Sequence, residues 1–412
     1  MKAKKIVIIG AGTGGIVAAN KLRRLLSTKH EITVVDQTSV HAFAPSFLWV
    51  MVGMRTLDQI TRPIRDLLKP KIEFIQAPVQ NIDFIKRAVV TEGAVIPFDY
   101  LVIASGAEPA FDLIPGFDDS VETFFTPEGS KRLFESLRNF SGGKIALTWL
   151  TPYKCPGAPH EGAMLIADFL RRKRKLENFE VHLFTPEPQP LPVAGPKLGS
   201  MVREVLESRG IVYHPLHKLT SIDSSSKTLK FEGNADFRYG MLVLIPPHRS
   251  ARFVQDSGLA NVAGWIPVDR NSLATRHENV YAIGDVTAIS MPGRWKPDVP
   301  LMLPKAGVFA HSQALIVTER IAGEITGKPA DARFCGDGFC MLEAGEDLAG
   351  FAYGNFFAEP SPDVRLKKIG RSWHLGKVLF EKWWLAPYGV RRSLLRSGII
   401  AGGKMKGIPI EL

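Results

Sequence analysis

Three cysteines are the side chains of this 412-residue sequence best suited to redox chemistry: Cys155, Cys335 and Cys340. An odd number of cysteines in a chain of this length excludes the disulfide scaffold of a small secreted domain. Two interpretations remain, because the thiols could do redox or catalytic work or could be small buried apolar side chains. Cys155 follows Lys154 and precedes a predicted helix over 162–172. This electropositive setting predicts a lowered thiol pKa and a reactive thiolate.

A glycine-rich loop near the N-terminus has the spacing of a dinucleotide-binding turn. The segment GAGTGG at 10–15 lies between an apolar run at 5–9, which suits a buried parallel strand, and a predicted helix over 16–26. A second apolar run at 31–35 ends in an acidic residue. In such a βαβ unit the glycines permit the tight turn, the approach of a pyrophosphate and close packing of the helix, while the acid accepts a hydrogen bond from a ribose hydroxyl. The predicted contacts are Gly10, Gly12, Gly15 and Asp36.

Two later segments resemble those of flavoproteins that have two dinucleotide-binding domains. The segment YLVIASGAEP at 100–109 is a predicted strand that runs into a turn at Gly106. The segment NVYAIGDVTAI at 279–289 is a predicted strand that ends in Gly284 and Asp285. In these flavoproteins the Gly-Asp strand end brings its carboxylate to the ribityl chain of the flavin. The resemblance implies that the cofactor is FAD.

A third segment, LPKAGVFAHSQA at 303–314, resembles the helix that directs its N-terminus at the flavin pyrimidine in the same superfamily. The helix dipole and the ammonium of Lys305, next to Ala306, would stabilise the negative charge that develops on the flavin when it is reduced. The alternative is a solvated lysine beside a helix N-terminus.

The middle of the chain lacks the second glycine loop that a nicotinamide nucleotide requires. The predicted strand KIALTWL at 144–150 leads into TPYKCPGAPHE at 151–161, where three prolines and Cys155 occupy the place of the phosphate cradle. Proline supplies no backbone N–H, and larger side chains block the close approach of a pyrophosphate. NADH and NADPH are therefore disfavoured as substrates.

The segment KCPGAPHE at 154–161 resembles the redox-cysteine motif of the sulfide:quinone oxidoreductases and of the flavin subunit of flavocytochrome c sulfide dehydrogenase. That family has a second redox cysteine, and Cys340 matches it best, since it lies 185 residues beyond Cys155 within GFCMLE and has FFAEPSP downstream. The resemblance implies that Cys155 and Cys340 form the redox pair, with Cys340 carrying the sulfur. It leaves Cys335 as a third sulfur relay or a structural thiol.

Glu161 matches a family glutamate that moves protons near the flavin, or it is an acid that stabilises the helix N-terminus.

This chemistry needs two thiols and one flavin. Oxidation of sulfide to zero-valent sulfur removes two electrons, and a disulfide or trisulfide beside the flavin can accept HS⁻ and hold the sulfur as a persulfide.

The family also shows a cysteine or histidine where this sequence has TFFT at 123–126, and a histidine where it has QPLPV at 189–193. These departures predict that FAD is bound non-covalently.

Most of the excess positive charge lies at the C-terminus. The formal net charge is +11, and residues 365–412 hold eleven basic and two acidic side chains. Apolar residues are interleaved with them, and the spacings 375, 379, 383 and 376, 380, 384 fit a helix with one tryptophan-bearing apolar face. This pattern predicts an interfacial helix against anionic lipid and disfavours nucleic acid as a partner.

The segment WHLGKVLFEKWWL at 373–385 also resembles the membrane-binding end of the sulfide:quinone oxidoreductases, whose quinone pocket is walled by aromatic residues. The resemblance makes Phe380, Trp384 and Phe357 the candidates for quinone binding. The alternative is that these side chains complete the core or a subunit interface.

The predicted fold class is α/β, with two Rossmann-like dinucleotide-binding domains and a C-terminal amphipathic membrane-binding segment. The FAD domain is predicted over 1–112 and 253–328, and the degenerate NAD-type domain over 113–252 with Cys155. The C-terminal domain, 329–412, carries Cys340 and the helices for membrane and quinone. No run approaches the roughly 18 to 20 apolar residues of a membrane-spanning helix.

The predicted function is FAD-dependent oxidation of sulfide to zero-valent sulfur or polysulfide, with electrons passed to a membrane quinone by a peripheral protein of the cell membrane. The enzyme alternatives are the flavin subunit of flavocytochrome c sulfide dehydrogenase and a type II NADH:quinone oxidoreductase. The non-enzyme alternative is a flavin-containing sulfur-relay module. No metal is predicted, and assembly into a homo-oligomer stays open.

Overall fold

The computed structural model describes residues 2–294 and 300–408. Residue 1, residues 295–299 and residues 409–412, which fall in three of the predicted domain segments, lie outside the described residues. The helices are α1 (Thr13–Leu25), α2 (Phe47–Val50), α3 (Leu57–Ile60), α4 (Ile64–Leu67), α5 (Pro127–Asn139), α6 (Ala158–Asp168), α7 (Pro196–Ser208), α8 (Arg252–Asp256), α9 (Gly307–Thr326), α10 (Arg371–Trp384) and α11 (Val390–Met405).

Most strands are short, and they form several separate sheets. The strands are β1 (Lys5–Ile9), β2 (Glu31–Asp36), β3 (Val40–Ala42), β4 (Thr61–Pro63), β5 (Glu73–Gln76), β6 (Val79–Asp83), β7 (Ala88–Thr91), β8 (Val95–Pro97), β9 (Tyr100–Ile103), β10 (Glu108–Pro109), β11 (Gly143–Trp149), β12 (Phe179–Phe184), β13 (Ile211–His214), β14 (Leu219–Asp223), β15 (Thr228–Phe231), β16 (Phe237–Arg238), β17 (Met241–Ile245), β18 (His248–Arg249), β19 (Ile266–Pro267), β20 (Val280–Ala282), β21 (Thr287–Ala288), β22 (Asp337–Glu343), β23 (Ala349–Asn355) and β24 (Asp363–Gly370).

A five-stranded sheet in the order β20-β9-β1-β2-β5 forms the first layer, and all of its pairs are parallel. Strand β1 is apolar on both faces: Ile6 and Ile8 pack into the same cluster as residues of α1 and α9, whereas Val7 and Ile9 pack into a second cluster on the opposite face. Burial on both faces is the reason why the strand has a continuous apolar sequence rather than an alternating one.

A second parallel sheet, in the order β13-β12-β11-β17, follows in the chain. Its core on one face holds Leu147 and Trp149 together with residues of α6 and α7, and the other face packs on the small antiparallel sheet β14-β15-β16. The two parallel sheets confirm the predicted α/β class. The domain boundaries and the Rossmann-like character of each domain stay predictions.

The carboxyl ends of these strands carry the candidate cofactor and redox residues. Strands β1, β9 and β20 are neighbours in one sheet and lead into the loops that hold Gly10, Gly106 and Gly284, while β11 leads into the loop that holds Cys155. Ligands in open parallel sheets bind outside the carboxyl ends of the strands. The sheet topology therefore places the predicted residues at the edge where a ligand would bind.

Two predicted helix starts were too late. Helix α1 begins at Thr13 rather than at residue 16, and α6 begins at Ala158 rather than at residue 162. Pro159 occupies the first turn of α6, where its missing N–H has no partner to lose. Glu161 consequently lies in the first turn of this helix.

The C-terminal part consists of an antiparallel sheet, β22-β23-β24, and the helices α10 and α11. Cys340 lies on β22 opposite Ala352 of β23. Throughout residues 2–294 and 300–408, no helix combines the length and the apolar character that crossing a bilayer requires.

Candidate active site

The loop after β1 has the backbone shape that a dinucleotide requires. Gly10 has a φ of +98°, and a Cβ there would lie 2.4 Å from the carbonyl oxygen of Ala104. A Cβ on Gly15 would lie 1.8 Å from the carbonyl oxygen of Gly10, so only glycine permits this approach of helix and loop. A Cβ on Gly12 would meet nothing within 4 Å, which leaves open space where a pyrophosphate would approach.

Asp36 contributes to the loop as well as to the predicted ribose contact. Its Oδ2 accepts a hydrogen bond from the N–H of Ala11 at 2.6 Å, and its Oδ1 accepts one from the N–H of Thr38 at 2.8 Å. A carboxylate has about four acceptor sites, so capacity remains for a ribose hydroxyl. The sequence predicts only the ribose contact and not this structural role of the carboxylate.

Two buried polar atoms near these loops are without a partner in the described part of the chain: Asp285 Oδ1 and Ser105 Oγ. A buried polar group without a hydrogen bond is costly, so such atoms indicate a polar ligand. Gly106, with a φ of +70°, follows directly on Ser105 and has open space where a Cβ would lie. The residues therefore fit FAD, whose ribityl hydroxyls and phosphates supply the missing donors and acceptors.

The Lys305 ammonium makes specific contacts with the protein that the sequence does not predict. Its Nζ donates hydrogen bonds to the carbonyl oxygens of Asp285 at 2.6 Å and Thr287 at 3.1 Å, and it lies 3.4 Å from the centre of the Trp265 ring. Burial lowers the pKa of Lys305 to about 8. The interpretation of a solvated lysine is therefore wrong. Ala306 precedes the N-terminus of α9 and lines the same recess as Asp285.

The structure brings Cys155 and Cys340 to one place. The N–H of Cys155 donates to the carbonyl oxygen of Lys305 at 2.7 Å, which holds this cysteine against the predicted flavin recess. A Cβ on Gly157 would lie 3.6 Å from Cys340 Sγ and 3.7 Å from Glu161 Oε2. Cys155 also has a φ of +57°, in the left-handed region that few non-glycine residues adopt.

Cys335 is not part of this cluster. All three cysteines are free, and Cys335 lies exposed on the segment before β22 with its Sγ 3.6 Å from the carbonyl oxygen of Arg333. Among the described residues, no contact of its thiol with Cys155 or Cys340 supports the role of a third sulfur relay, and the role of a structural thiol stays open.

The predicted lowering of the Cys155 pKa is wrong. Loss of bulk water around the thiol, followed by the charge of Glu161, raises the pKa of Cys155 to about 12. Cys340 is exposed as a residue, and the same two causes, acting on its sulfur, and then Cys155 itself raise its pKa. Lys154, the predicted source of positive charge, instead directs its Nζ at the carbonyl oxygen of Ala107, 3.4 Å away. Both groups are therefore thiols at neutral pH unless a base removes the proton.

Glu161 lies in a buried ion network behind the cysteines. Its Oε1 accepts hydrogen bonds from Lys377 Nζ at 2.6 Å and from the N–H of Glu343 at 2.9 Å, and the residue is 2% exposed. Glu343 Oε1 lies 3.7 Å from Lys377 Nζ, and Glu343 Oε2 lies 3.0 Å from His374 Nδ1. The alternative, an acid that stabilises the helix N-terminus, agrees with the place of Glu161 in the first turn of α6, but it does not account for this burial.

The charges in the network stabilise one another. Burial alone would lower the pKa of Lys377, but Glu161 and Glu343 outweigh it and raise this pKa above its usual range. Burial raises the pKa of Glu161, although the Lys377 ammonium opposes it. A hydrogen bond with Glu343 raises the pKa of His374. Glu161 is thus a buried carboxyl beside the thiols with an elevated pKa, as a proton acceptor for them requires.

The helical pattern predicts Lys377 on the basic, lipid-facing side of the C-terminal helix and Trp384 in a quinone pocket, whereas the structure buries both. Lys377 was counted with the basic residues on the lipid side, yet it is 7% exposed; Trp384, a quinone candidate, is 1% exposed and donates its indole N–H to His41 Nε2 at 2.8 Å. Glu381 is also buried and pairs with Arg55 at 2.9 Å. A usable signal existed, since positions 374, 377, 381 and 384 lie on one face of a helix.

Of the quinone candidates, Phe380 and Trp384 pack on the same ring, that of Phe43, whereas Phe357 packs elsewhere. Phe380 is half-buried and packs on Phe43, with ring centres 6.1 Å apart, and Phe357 packs on Phe334, with ring centres 5.4 Å apart. Trp384 is closed off from the surface and so serves the core, which was the alternative interpretation for these aromatic residues. Phe380 and Phe357 keep partly accessible rings.

The outer faces of α10 and α11 carry exposed apolar side chains. Leu379 is 37% exposed, Val390 77% and Leu394 68%. These three, together with Arg391 and Ile399, line an apolar groove between the two helices. Large exposed apolar side chains beside basic ones are typical of a surface that binds another phase or partner.

The loop after β11 carries an aromatic ring that contacts a neighbouring carboxyl. Tyr153 lies where the phosphate cradle would be, packs on Trp149 with ring centres 5.6 Å apart, and donates its hydroxyl to Glu187 Oε1 at 3.1 Å. Burial raises the pKa of Glu187 to about 7. An aromatic ring and a carboxyl thus occupy the crevice that a pyrophosphate would need.

Comparison with known proteins agrees with the geometry. The model of the pyridine nucleotide-disulphide oxidoreductase family matches residues 4–306. The chain is 27% identical to the sulfide-quinone reductase of Aquifex aeolicus over 93% of this chain and 90% of that protein. It is 25% identical to the mitochondrial sulfide:quinone oxidoreductase of Dictyostelium discoideum over 91% of this chain and 84% of that protein. A type II NADH:quinone oxidoreductase of Staphylococcus aureus is 23% identical over 80% of this chain and 84% of that protein.

The fold is also shared with solved structures. The crystal structure of the sulfide:quinone oxidoreductase from Aquifex aeolicus superposes with a TM-score of 0.84 at 24% identity, covering 98% of this chain and 94% of that one. These relatives confirm the resemblance that the segment at 154–161 predicted. Since the family model covers well over half of the sequence, the chain belongs to the pyridine nucleotide-disulphide oxidoreductase family.

Proposed function

We propose that this flavoprotein is a sulfide:quinone oxidoreductase that oxidises sulfide to zero-valent sulfur or polysulfide and passes the electrons through FAD to a membrane quinone. The observation that carries the proposal is the meeting of Cys155 and Cys340, 185 residues apart in sequence, beside the recess of Asp285 and Lys305. A buried carboxyl, Glu161, lies close enough to both thiols for its charge to act on them. The overall reaction balances as H₂S and quinone giving zero-valent sulfur and quinol.

The cysteines act on sulfide in this scheme. In the oxidised pair, HS⁻ attacks one sulfur, so that one S–S bond breaks, a persulfide forms on that cysteine and the other leaves as a thiolate. Glu161 takes up the proton that the persulfide or thiol loses, because both thiols keep elevated pKa values without a base. Lys377 holds the resulting charges in place. FAD, bound non-covalently, supplies the two-electron acceptor beside the pair.

The direct test is anaerobic mixing of the holoenzyme with sulfide or with NADH, followed by a soluble quinone analogue. We expect sulfide to bleach the flavin absorbance promptly and the quinone to restore it, while NADH leaves it unchanged because Tyr153 and Glu187 fill the nucleotide crevice. Reduction by NADH alone would establish the type II NADH:quinone oxidoreductase instead. If sulfide does not bleach the flavin, the result would favour the non-catalytic alternative, a flavin-containing sulfur-relay module. Transfer only to a haem protein would establish the flavocytochrome c type.

The exposed faces of α10 and α11 are proposed to bind the membrane surface, with their basic side chains towards anionic headgroups. We expect the protein to float with vesicles of phosphatidylcholine and phosphatidylglycerol, and the double variant Val390→Glu/Leu394→Glu to bind at least about tenfold less, because two large apolar side chains no longer enter the lipid. Flotation of the protein with and without vesicles measures the bound fraction.

Val262→Glu is the matched control, since Val262 is fully exposed but lies away from the C-terminal helices. It should bind vesicles like the unchanged protein. Added salt should weaken binding of all three proteins by screening the basic side chains. Equal binding by the double variant and the control would contradict the assignment of this surface.

A further inference from the structure

The peptide group between Ala11 and Gly12 is fixed by a histidine that no sequence pattern singled out. His41 Nδ1 lies 3.1 Å from the carbonyl oxygen of Ala11, and His41 is 7% exposed. A carbonyl only accepts hydrogen bonds, so Nδ1 carries the proton and donates it. The opposite nitrogen, Nε2, then accepts the indole N–H of Trp384 at 2.8 Å. The two contacts require the same tautomer of the ring.

Burial lowers the pKa of His41, so the imidazole is neutral at neutral pH and can make both hydrogen bonds. The groups that face it are Ala11 and Asp36 from the first βαβ unit, Trp384 from α10 and Arg392 from α11. Arg392 covers the Trp384 ring with its guanidinium carbon 5.8 Å from the ring centre. The ring is therefore enclosed by the cofactor loop on one side and by the C-terminal helices on the other.

The consequence for the cofactor follows from peptide geometry. In a planar trans peptide the C=O of one residue and the N–H of the next point in opposite directions. With the Ala11 carbonyl held by His41, the N–H of Gly12 points away from His41. Gly12 is exposed and has open space around its Cβ position, where a pyrophosphate would approach. Orientation of this N–H decides whether the loop presents a donor to the phosphates.

We propose that His41 is a positioning residue for FAD, and that the series Trp384–His41–Ala11 makes the tightness of FAD binding depend on the docking of the C-terminal helix α10. The proposal needs FAD at the glycine loop but is independent of sulfide as the substrate. A hydrogen bond of this kind contributes about 0.5–1.5 kcal/mol, which is about two- to tenfold in a dissociation constant.

The test compares two neighbouring tryptophans. Trp384→Phe removes the hydrogen bond to His41, whereas Trp383→Phe removes an equally buried indole whose N–H has no partner in the described part of the chain. We expect titration of the apoproteins with FAD to give a dissociation constant about five- to tenfold higher for Trp384→Phe. Trp383→Phe should stay within about twofold of the unchanged protein. ADP, which carries the pyrophosphate without the flavin, should lose affinity to the same extent as FAD.

The order of the series gives a second readout. His41→Phe should weaken FAD binding at least as much as Trp384→Phe, and the double variant should be no weaker than His41→Phe alone, because the two hydrogen bonds act in series. His41→Gln, which keeps a donor for the Ala11 carbonyl, should recover part of the affinity. Equal dissociation constants for Trp384→Phe and Trp383→Phe, or multiplicative effects in the double variant, would overturn the proposal. The comparison of the tryptophan variants stands even where His41→Phe does not fold.

Discussion

Replacement of Cys155 or Cys340 by serine is expected to slow the reduction of the bound flavin by sulfide on the order of 1,000-fold or more. A serine hydroxyl cannot form the S–S bond that accepts HS⁻ or that holds the sulfur after attack, so neither variant can complete the two-electron transfer. Anaerobic rapid mixing of each holoenzyme with sulfide, followed at the flavin absorbance, measures the rate. Dithionite should still reduce both variants, because it needs no thiol.

Cys335→Ser is the matched control, because Cys335 is exposed and lies outside the cluster. Its rate is expected within about twofold of the unchanged enzyme, because in the described part of the chain its thiol contacts only the carbonyl oxygen of Arg333, which a serine hydroxyl can also reach. A full rate in Cys155→Ser or in Cys340→Ser would refute the redox pair. A loss in Cys335→Ser equal to that of the other two would add the third thiol to the sulfur route.

Removal of the Lys377 ammonium should lower the stability of the fold substantially. Lys377→Met leaves Glu161 and Glu343, which are 2% and 1% exposed, without their shared cation. Loss of one partner of a buried ion pair typically lowers the free energy of unfolding by about 3–5 kcal/mol. Denaturant titration of the variant at pH 8 is expected to show a loss of this size.

The loss should depend on pH in a defined direction. Without Lys377 the pKa of Glu161, already raised from 4.5 by burial, rises further. A carboxyl whose pKa is higher in the folded than in the unfolded state destabilises the fold as pH rises above the unfolded value. The deficit should therefore shrink as pH falls from 8 towards 5.

Lys382→Met is the control for this change, since Lys382 is an exposed lysine of the same helix. It should change stability by less than about 0.5 kcal/mol at either pH. The double variant Lys377→Met/Glu161→Gln should recover part of the loss, because one of the stranded charges is gone. Equal stability of Lys377→Met and Lys382→Met, or a deficit that grows as pH falls, would contradict the buried network.

The cofactor loop could be predicted from the sequence because its requirements are local. Gly10 and Gly15 are needed by the backbone of one turn and one helix, within a stretch of six residues. The strands before and after the loop are buried on both faces, and their continuous apolar sequences indicate this directly. The redox pair needed more than local rules, since only the resemblance of the segments around Cys155 and Cys340 joined two distant parts of the chain.

The electrostatics of the site could not be predicted in the same way. Lys154 is the sequence neighbour of Cys155, but its side chain turns to Ala107, whereas the charges that act on the thiol are Glu161 and Lys377. Lys377 lies 216 residues beyond Glu161. Helical periodicity identifies an apolar face, but it does not say which polar side chains on the same helix will find buried partners. Those partners come from β22 and α6, which no local pattern relates to α10.

The inward side chains of α10 determine which changes to the C-terminal helices the fold can tolerate. Deleting the last 42 residues, from Arg371 onward, would remove the exposed apolar surface but also Lys377 and Trp384. Buried carboxyl groups would then lack their cation, and His41, which contacts the cofactor loop, would lack its hydrogen bond from Trp384. Polar replacements confined to exposed positions such as Leu375 and Leu394 keep every inward contact. A form that no longer binds the proposed membrane surface should therefore be sought by replacing exposed side chains of the C-terminal helices, with the full chain retained.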